Sequence, residues 1–533
     1  MLSLRRSLAT ILTGLLLALP SGCSNTPPRK PVEPGLQPGA TEKRRLDPTP
    51  APTAASLPQA LQEFRGVWVA TVANIDWPSQ PGLPSAQQQA EIRAILDRVV
   101  ALNLNAIVLQ VRPTADAIYP SALEPWSAYL TGKQGQPPQP EYDPLALWIN
   151  EAHARGLELH AWFNPFRAWH RRISMPLADS HVARKQPEWV RPYGDYLWLD
   201  PGEPAAAERA LAVMGDVLRR YDIDGIQIDD YFYPYPIPAA GRAGARGAVQ
   251  DFPDQATWRR YQAGGGKLNR ADWRRDNVNR LVEATYKLVH TEKPWVKFGI
   301  SPFGIGRPDL RPPGIVGFSQ YDQLYADAEL WLERGWVDYL APQLYWPVDQ
   351  PRQAFPILLA SWQRTNPLGR HIWPGLNISR LDGSSSGWST NEITKQIEAS
   401  RQPAGQSGQL HFSMRTLLQD QQAIGAALLQ QSYPTPALLP SYPWLGSQRL
   451  ATPSLTFQAD TARLQIDTPR SSPARLAVWK QYASGWQLDI QAASQTTVEL
   501  AAHPEWGAVR AVAVQVQDRL GQLSEVAIWQ TTH

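Results

Sequence analysis

The sequence predicts an α/β fold, a (β/α)8 barrel of the TIM type followed by a small β-sandwich, and three observations predict it. From Phe64 to about Gln430, eight short β-like runs alternate with eight helical stretches. No glycine-rich phosphate loop follows the first run, where a doubly wound open sheet would place one. Beyond a Pro/Tyr-rich joint at 433–443 the pattern changes to short alternating runs punctuated by turn residues.

Taken in chain order, residues 1–22 read as an export signal. Arg5 and Arg6 precede an apolar run at 8–19 that is too short to span a bilayer but matches an h-region. Leu19-Pro20-Ser21-Gly22-Cys23 follows, and Cys23 is the only cysteine of the chain. This stretch resembles the lipobox of bacterial lipoproteins, with Pro20 where that pattern prefers Leu. The resemblance implies lipidation of Cys23, and Ser24 after it implies sorting to the periplasmic face of the outer membrane. An ordinary cleaved signal that leaves a free thiol is the alternative, although a lone thiol in an oxidising compartment has no disulfide partner. Residues 23–60 read as a disordered tether, because nine prolines in the 37 residues 24–60 and almost no large apolar residue leave nothing to offset ordering entropy.

The barrel is expected over 61–432. Its strands are placed at 66–73, 106–111, 157–163, 225–229, 296–301, 339–345, 372–377 and 410–414. The helices are placed at 86–102, 144–155, 204–221, 272–290, 326–335, 353–362, 391–401 and 419–430. Residues 433–533 hold the joint and about seven short strands, including 462–466, 476–480, 486–490, 497–500, 508–517 and 526–530, which read as a β-sandwich of the fibronectin type III kind. It contains no cluster of titratable groups, so packing or positioning is its expected role.

Composition narrows the ligand. Lys+Arg minus Asp+Glu is 51 − 48 = +3 with no basic stripe, which argues against nucleic acid and for a neutral or weakly charged partner. Proline at 50 of 533 residues and tryptophan at 22 are both in excess, and 17 of those tryptophans fall between Trp68 and Trp388. Many prolines sit at strand-to-loop junctions, as Pro113, Pro165, Pro234, Pro302 and Pro347 do. A stiff, ring-lined cleft is the implied product.

Barrel chemistry belongs at the C-terminal ends of the strands. In Asp224-Gly225-Ile226-Gln227-Ile228-Asp229-Asp230-Tyr231, the period of two turns Ile226 and Ile228 toward the helices and Gln227 and Asp229 into the barrel, with Asp230 beginning the loop. The second strand ends in Gln110-Val111-Arg112-Pro113-Thr114-Ala115-Asp116. The third gives His160-Ala161-Trp162-Phe163-Asn164-Pro165-Phe166-Arg167, and the sixth Gln343-Leu344-Tyr345-Trp346. Rings that stack on sugar faces, with amides and carboxylates that bond hydroxyls, suit a carbohydrate. The expected substrate-binding set is therefore Arg112, His160, Trp162, Asn164, Arg167, Gln227, Tyr231, Gln343, Tyr345 and Trp346. His160 reads as a wall residue and not a metal ligand, since none of the nine histidines has metal-type spacing. Arg112 and Arg167 either bind a sugar carboxylate or lactyl group, or hold Asp229 by ion pairing. The Ala/Gly/Arg stretch 239–248 either caps the cleft or is a plain insertion.

The motifs Phe64-Arg65-Gly66-Val67-Trp68, Asp229-Asp230-Tyr231-Phe232-Tyr233-Pro234 and Pro342-Gln343-Leu344-Tyr345-Trp346, in that order, resemble glycoside-hydrolase-like family 10, a group of bacterial lipoproteins. The resemblance covers about 370 residues. It implies a (β/α)8 barrel acting on polysaccharide, and the family's divisome-localised member implies peptidoglycan glycan strands stripped of stem peptides; no cofactor or metal is expected. It also implies hydrolysis by two carboxyl groups flanking the scissile bond. Asp229 is expected as nucleophile or base, as strand-four aspartates are in related α-glycosidase barrels, with Asp230 beside it in the catalytic set; the alternative is that both only brace loops. The second carboxyl stays open. The strand-five end, Ile300-Ser301-Pro302-Phe303-Gly304, offers no acid, which leaves Asp116 on the second loop and Asp322 or Asp327 before the fifth helix, while Asp338 is expected at the barrel's bottom. Two further readings remain: an envelope polysaccharide-binding barrel without catalysis, and a hydrolase of another polysaccharide such as an α-glucan.

Overall fold

The computed structural model describes residues 57–531 apart from 171–174, 240–248, 402–406 and 469–472. The expected export signal, Cys23 and the tether up to residue 56 lie outside the described residues, as does all but Ala239 of the stretch 239–248.

The larger part is a mixed α/β fold. Its first strands are β1 (Phe64–Val69), β2 (Ala106–Arg112) and β3 (Glu158–Phe163). A small antiparallel sheet follows, formed by β4 (Arg167–His170), β5 (Val190–Tyr193) and β6 (Tyr196–Leu199). Then come β7 (Gly225–Ile228), β8 (Lys297–Ile300), β9 (Tyr339–Leu340), β10 (His371–Ile372), β11 (Gly375–Leu376) and β12 (Gly408–His411). Nine of these make one parallel sheet in the order β10-β9-β8-β7-β3-β2-β1-β12-β11. Its end strands are two halves of one stretch parted by Trp373 and Pro374; one half pairs with β9 and the other with β12. The sheet therefore curls back on itself through a single piece of chain.

Alternation along each strand feeds two apolar layers. Ile226 and Ile228 join the cluster between sheet and helices, while Phe64, Trp68, Val108, Trp162, Tyr339 and Trp373 fill the inside of the curl. Bulky rings fit there because neighbouring strands carry glycine. A Cβ on Gly225 would lie 2.4 Å from the His160 ring, and one on Gly299 only 1.9 Å from that of Tyr339. The helices behave as amphipathic covers. Pro204–Arg220 buries Ala206, Ala210, Val213, Met214 and Val217, the spacing of one helical face, and ends with Arg219 and Arg220 in its last turn, where positive charge suits the helix dipole.

Two expectations are corrected. Of the helix placed at 419–430 only Ile424–Ala427 is α-helical, between a single turn at Gln421–Ala423 and a wider one at Leu428–Ser432, because Asp420, Gln422 and Ala423 hold φ of 47°, 51° and 55°, which no α-helix accommodates. The sheet β4–β6 and the helix Gln255–Ala263 were not expected.

The C-terminal part has β13 (Ser454–Gln458), β14 (Arg463–Asp467), β15 (Pro473–Tyr482), β16 (Gly485–Ala492), β17 (Thr497–Glu499), β18 (Ala511–Asp518) and β19 (Ala527–Gln530). They form two antiparallel sheets, β13-β14-β17 and β16-β15-β18-β19. Leu464, Ile466 and Val498 of the first share one apolar cluster with Leu476, Val478 and Val514 of the second.

Candidate active site

A cleft of about 210 Å³ lies at the C-terminal edge of the parallel sheet. Trp68, Ala70, Val72 and Ile75 line it from β1 and the loop after it, and Phe412 lines it from the end of β12. The polar side is made by Arg167, Asp229, Asp230, Tyr231, Tyr235, Ser301 and Gln343, with the rings of Trp162 and Tyr345 between. A cavity walled by rings and aliphatic side chains, with polar groups converging from one side, is the usual form of a small-ligand or saccharide site.

The inward parity of β7 sets Gln227 beneath this cleft and Asp229 in its wall. Gln227 is clamped on both sides of its amide: the Trp68 indole donates to Oε1 at 3.0 Å, and Nε2 donates to the Ser301 hydroxyl at 2.8 Å. Asp229 is only 4 % exposed. Its Oδ2 accepts from the Trp162 indole at 3.2 Å and from the Asn164 amide, while Oδ1 accepts only the longer bond from Tyr231 N, 3.3 Å. Asn164 cannot turn over, because its Oδ1 accepts from Gln110 Nε2 at 2.6 Å and Arg167 Nη2 at 2.7 Å. Arg167 in turn donates to the Pro113 carbonyl at 3.1 Å and lies 4.7 Å from the centre of the Tyr231 ring. Asp230 turns its carboxylate toward the cleft from the other side of the strand end, accepting the Tyr235 hydroxyl on Oδ2.

The two carboxyls have been driven apart electrostatically. Burial raises both. For Asp230 the neighbouring Asp229 charge adds to burial, and the bonds from Tyr235 and Gln343 do not offset them, so its pKa is pushed up to about 7. Burial also lifts Asp229, but the Arg167 guanidinium, the Asn164 amide, Tyr231 N and the Trp162 indole all favour its anion. The proton of the pair therefore resides on Asp230 near neutrality, giving an acid and an anion side by side.

Several expected site residues lie elsewhere. Asp116 is wholly buried and accepts from Thr114 N and Oγ1, both at 3.0 Å, and from Gln134 Nε2 at 3.2 Å, so it braces its loop. Asp327 caps the helix Ala328–Arg334 through Leu330 N, and Asp322 accepts the Ser319 hydroxyl at 2.7 Å; neither lines the cleft. Asp338 accepts from Phe298 N at 2.7 Å, at the N-terminal end of β9, where it was expected. Arg112 pairs with Glu124 through bonds of 2.8 and 2.5 Å and reaches neither the cleft nor Asp229. His160 sits deeper inside the curl, bonded to the Tyr339 hydroxyl at 2.9 Å and to Glu158 at 3.2 Å. Asn164 and Gln227 support the cleft from behind, and Trp346 packs edge-on against Phe303 outside the lining. Trp162, Arg167, Tyr231, Gln343 and Tyr345 line it directly, beside Asp229 and Asp230. The residues that sequence reasoning missed are Trp68, Ala70, Val72, Ile75, Tyr235, Ser301 and Phe412. Trp68, Ser301 and Phe412 stand at strand ends and could have been found by inspecting every strand. Among the described residues no group of three or more His, Cys, Asp or Glu converges as metal ligands do.

A family model described as glycosyl hydrolase-like 10 matches residues 63–385. The chain is 41 % identical to glycosyl hydrolase YngK of Bacillus subtilis (strain 168) over 411 residues, 75 % of this chain and 77 % of that one. It is 32 % identical to glycosyl hydrolase DigH of Escherichia coli (strain K12) over 463 residues, 81 % of this chain and 98 % of that one. Among solved structures, the PgaB (BpsB) glycoside hydrolase domain from Bordetella bronchiseptica matches 70 % of this chain and 99 % of its own with a TM-score of 0.43 and 15 % identity.

Proposed function

We propose, from the premise that this chain belongs to the glycosyl hydrolase-like 10 family and is a glycoside hydrolase, that its substrate is the glycan strand of peptidoglycan after removal of the stem peptides. The observation that carries the catalytic part is the pair at the end of β7: Asp230 protonated by burial and by its neighbour's charge, Asp229 held as the anion by Arg167 and Asn164. Asp230 then protonates the leaving glycosidic oxygen while Asp229 acts on the sugar that becomes the new reducing end. The neutral, ring-lined cleft supports a glycan without charged peptides.

The finer architecture belongs to the same reading. The curled sheet is a (β/α)8 barrel whose seventh strand is the interrupted stretch at 371–376, and the C-terminal strands are a fibronectin type III-like sandwich, a reading supported by their strand order, 1-2-5 in one sheet and 4-3-6-7 in the other. Cys23 carries the lipid, and the tether holds the enzyme at the periplasmic face of the outer membrane.

Purified protein incubated with amidase-treated sacculi should release soluble peptide-free saccharides, and Asp229→Asn should abolish the release. A panel including α-glucans is run alongside. Cleavage of an α-glucan with sacculi untouched would overturn the cell-wall reading. Metabolic labelling with palmitate that is lost in Cys23→Ala tests the anchor.

A further inference from the structure

In a glycosidase with two opposed carboxyls, one protonates the leaving oxygen and the other attacks, or activates water, from the far face of the sugar, at separations of about 5–5.5 Å or about 6.5–9.5 Å. Among the described residues, Asp229 and Asp230 are the only carboxyls that line the cleft, and they are consecutive at one strand end. Across the cleft stand Trp68, Val72, Ile75 and Phe412, from β1, its following loop and β12, the strands three and four places from β7 in the sheet. None of these can attack carbon. The internal segments outside the described residues, 171–174, 240–248, 402–406 and 469–472, contain no Asp or Glu, so none of them supplies a carboxylate either.

We propose that the missing nucleophile is the substrate's own 2-acetamido group, and that the enzyme therefore requires an N-acetylated hexosamine on the non-reducing side of the bond it cuts. This rests on the glycan-hydrolase reading above and specifies its substrate. The geometry of Asp229 fits the role. Oδ2 is taken up by Trp162 and Asn164, whereas Oδ1 has a single long partner, Tyr231 N at 3.3 Å, and so keeps capacity for an incoming N–H. The apolar wall from Trp68 to Phe412 offers the acetamide methyl a dry surface.

The step balances without a co-reactant other than water. The acetamide carbonyl oxygen forms a bond to C1 as the C1–oxygen glycosidic bond breaks, and the Asp230 proton passes to the departing oxygen. The amide N–H, made acidic in the resulting oxazolinium ring, is held by the Asp229 carboxylate. Water then adds to C1, giving a proton to Asp230, and the ring opens to restore the acetamide. Two inversions at C1 give net retention.

The test uses the full chain in detergent with denuded glycan strands, chemically de-N-acetylated strands, and the same strands re-acetylated with acetic anhydride. The expectation is at least a 100-fold loss of cleavage on de-N-acetylation and its return on re-acetylation, with products of retained configuration by NMR. An N-acetylglucosamine thiazoline, which copies the bicyclic intermediate, should bind in calorimetry, and Asp229→Ala should weaken that binding at least 10-fold. Equal cleavage of acetylated and de-N-acetylated strands, inverted products, or no thiazoline binding by an active enzyme would overturn the proposal while leaving the hydrolase reading intact. Failure to cut any glycan, together with no thiazoline binding, would overturn both.

Discussion

Replacing Asp230 by Asn separates what this residue does for chemistry from what it costs the fold. The carboxyl is 3 % exposed and, unlike Asp229 beside Arg167, has no cation among the groups that shift it. Its pKa rises from 3.8 to about 7, a gap worth about 4 kcal/mol between the protonated and ionised forms. Because the folded state binds this proton more tightly than the unfolded chain, the benefit is full below about pH 4 and is lost as pH rises toward 7; above that both states are ionised and the deficit stays constant. Asn is neutral throughout and its Oδ1 can still accept the Tyr235 hydroxyl. Asp230→Asn should therefore match the parent near pH 4 and exceed it by up to about 4 kcal/mol at pH 8, while hydrolysis falls by about 10²–10⁴-fold, the usual worth of a general acid. Urea unfolding followed by tryptophan fluorescence from pH 4.5 to 8.5 measures the first part. A stability difference that does not grow with pH, or a variant less stable than the parent at pH 8, would refute the account of Asp230 as a carboxyl kept protonated by burial and its neighbour. Removing that neighbour's charge in Asp229→Asn should lower the Asp230 pKa and return part of the same stability.

Arg112 was expected to touch substrate or Asp229, but its guanidinium and Glu124 are 1 % and 0 % exposed, so Arg112→Met should cost about 3–5 kcal/mol of stability by stranding a buried carboxylate, with Arg112→Met/Glu124→Leu recovering most of it in the same urea titration. Asn164→Ala removes a donor to the Asp229 anion and the link to Arg167, so the acid limb of kcat/KM should move to higher pH and the rate fall about 10²-fold, read from a pH–rate profile. Asp327→Ala should cost only the capping bond to Leu330 N, about 1 kcal/mol, and leave hydrolysis unchanged; a large loss of kcat at unchanged stability would return Asp327 to the catalytic set.

The outline of the fold was legible because each buried parallel strand is a short apolar run and each covering helix repeats at 3.6 residues. Ile226 and Ile228 alternate with Gln227 and Asp229, and that alternation alone places Asp229 inside the curl. Asp230 was harder to read. Its approach to the cleft is set by a tight turn, Phe232 N to Asp230 O at 3.0 Å, and by the Tyr235 hydroxyl, and neither has a periodicity. An opposed pair requires its partner carboxyl on a different strand, a position that Asp116 and Asp327 fit by sequence. In sequence those two look as available as Asp230, since all follow strands. What distinguishes them is a matter of contacts: Asp116 is consumed by Thr114 and Gln134, and Asp327 by a helix N-terminus. The sheet β4–β6 was missed because its strands are four residues each and lie among prolines and rings, yet it carries Arg167 and, through the Trp198 indole bonded to the Phe232 carbonyl at 2.9 Å, anchors the Asp230 turn.

The C-terminal strands meet the larger part at the end of the parallel sheet opposite the cleft, and the charges there divide into two kinds. Arg475 donates to the Gly156 carbonyl at 3.1 Å and lies 3.9 Å from Glu158, which also accepts from Lys297 at 2.6 Å; Glu158 and Lys297 begin β3 and β8. Burial would raise Glu158, but the Lys297 charge, the His160 bond and the Arg475 charge hold its pKa below the ordinary carboxylate value, so it is charged inside the fold. Lys297→Met leaves that charge without its main partner and should cost about 3–5 kcal/mol. Arg519 and Asp222 make a two-bond pair at 2.6 and 2.5 Å across the same join, but they are 21 % and 56 % exposed, so Arg519→Ala should cost about 0–1 kcal/mol and less at high salt. Neither change touches a residue that lines the cleft, so per folded molecule both variants should keep the parent's kcat and KM. A selective fall in kcat in a still-folded Arg519→Ala protein would show instead that the C-terminal strands act on the cleft and do more than support the fold from below.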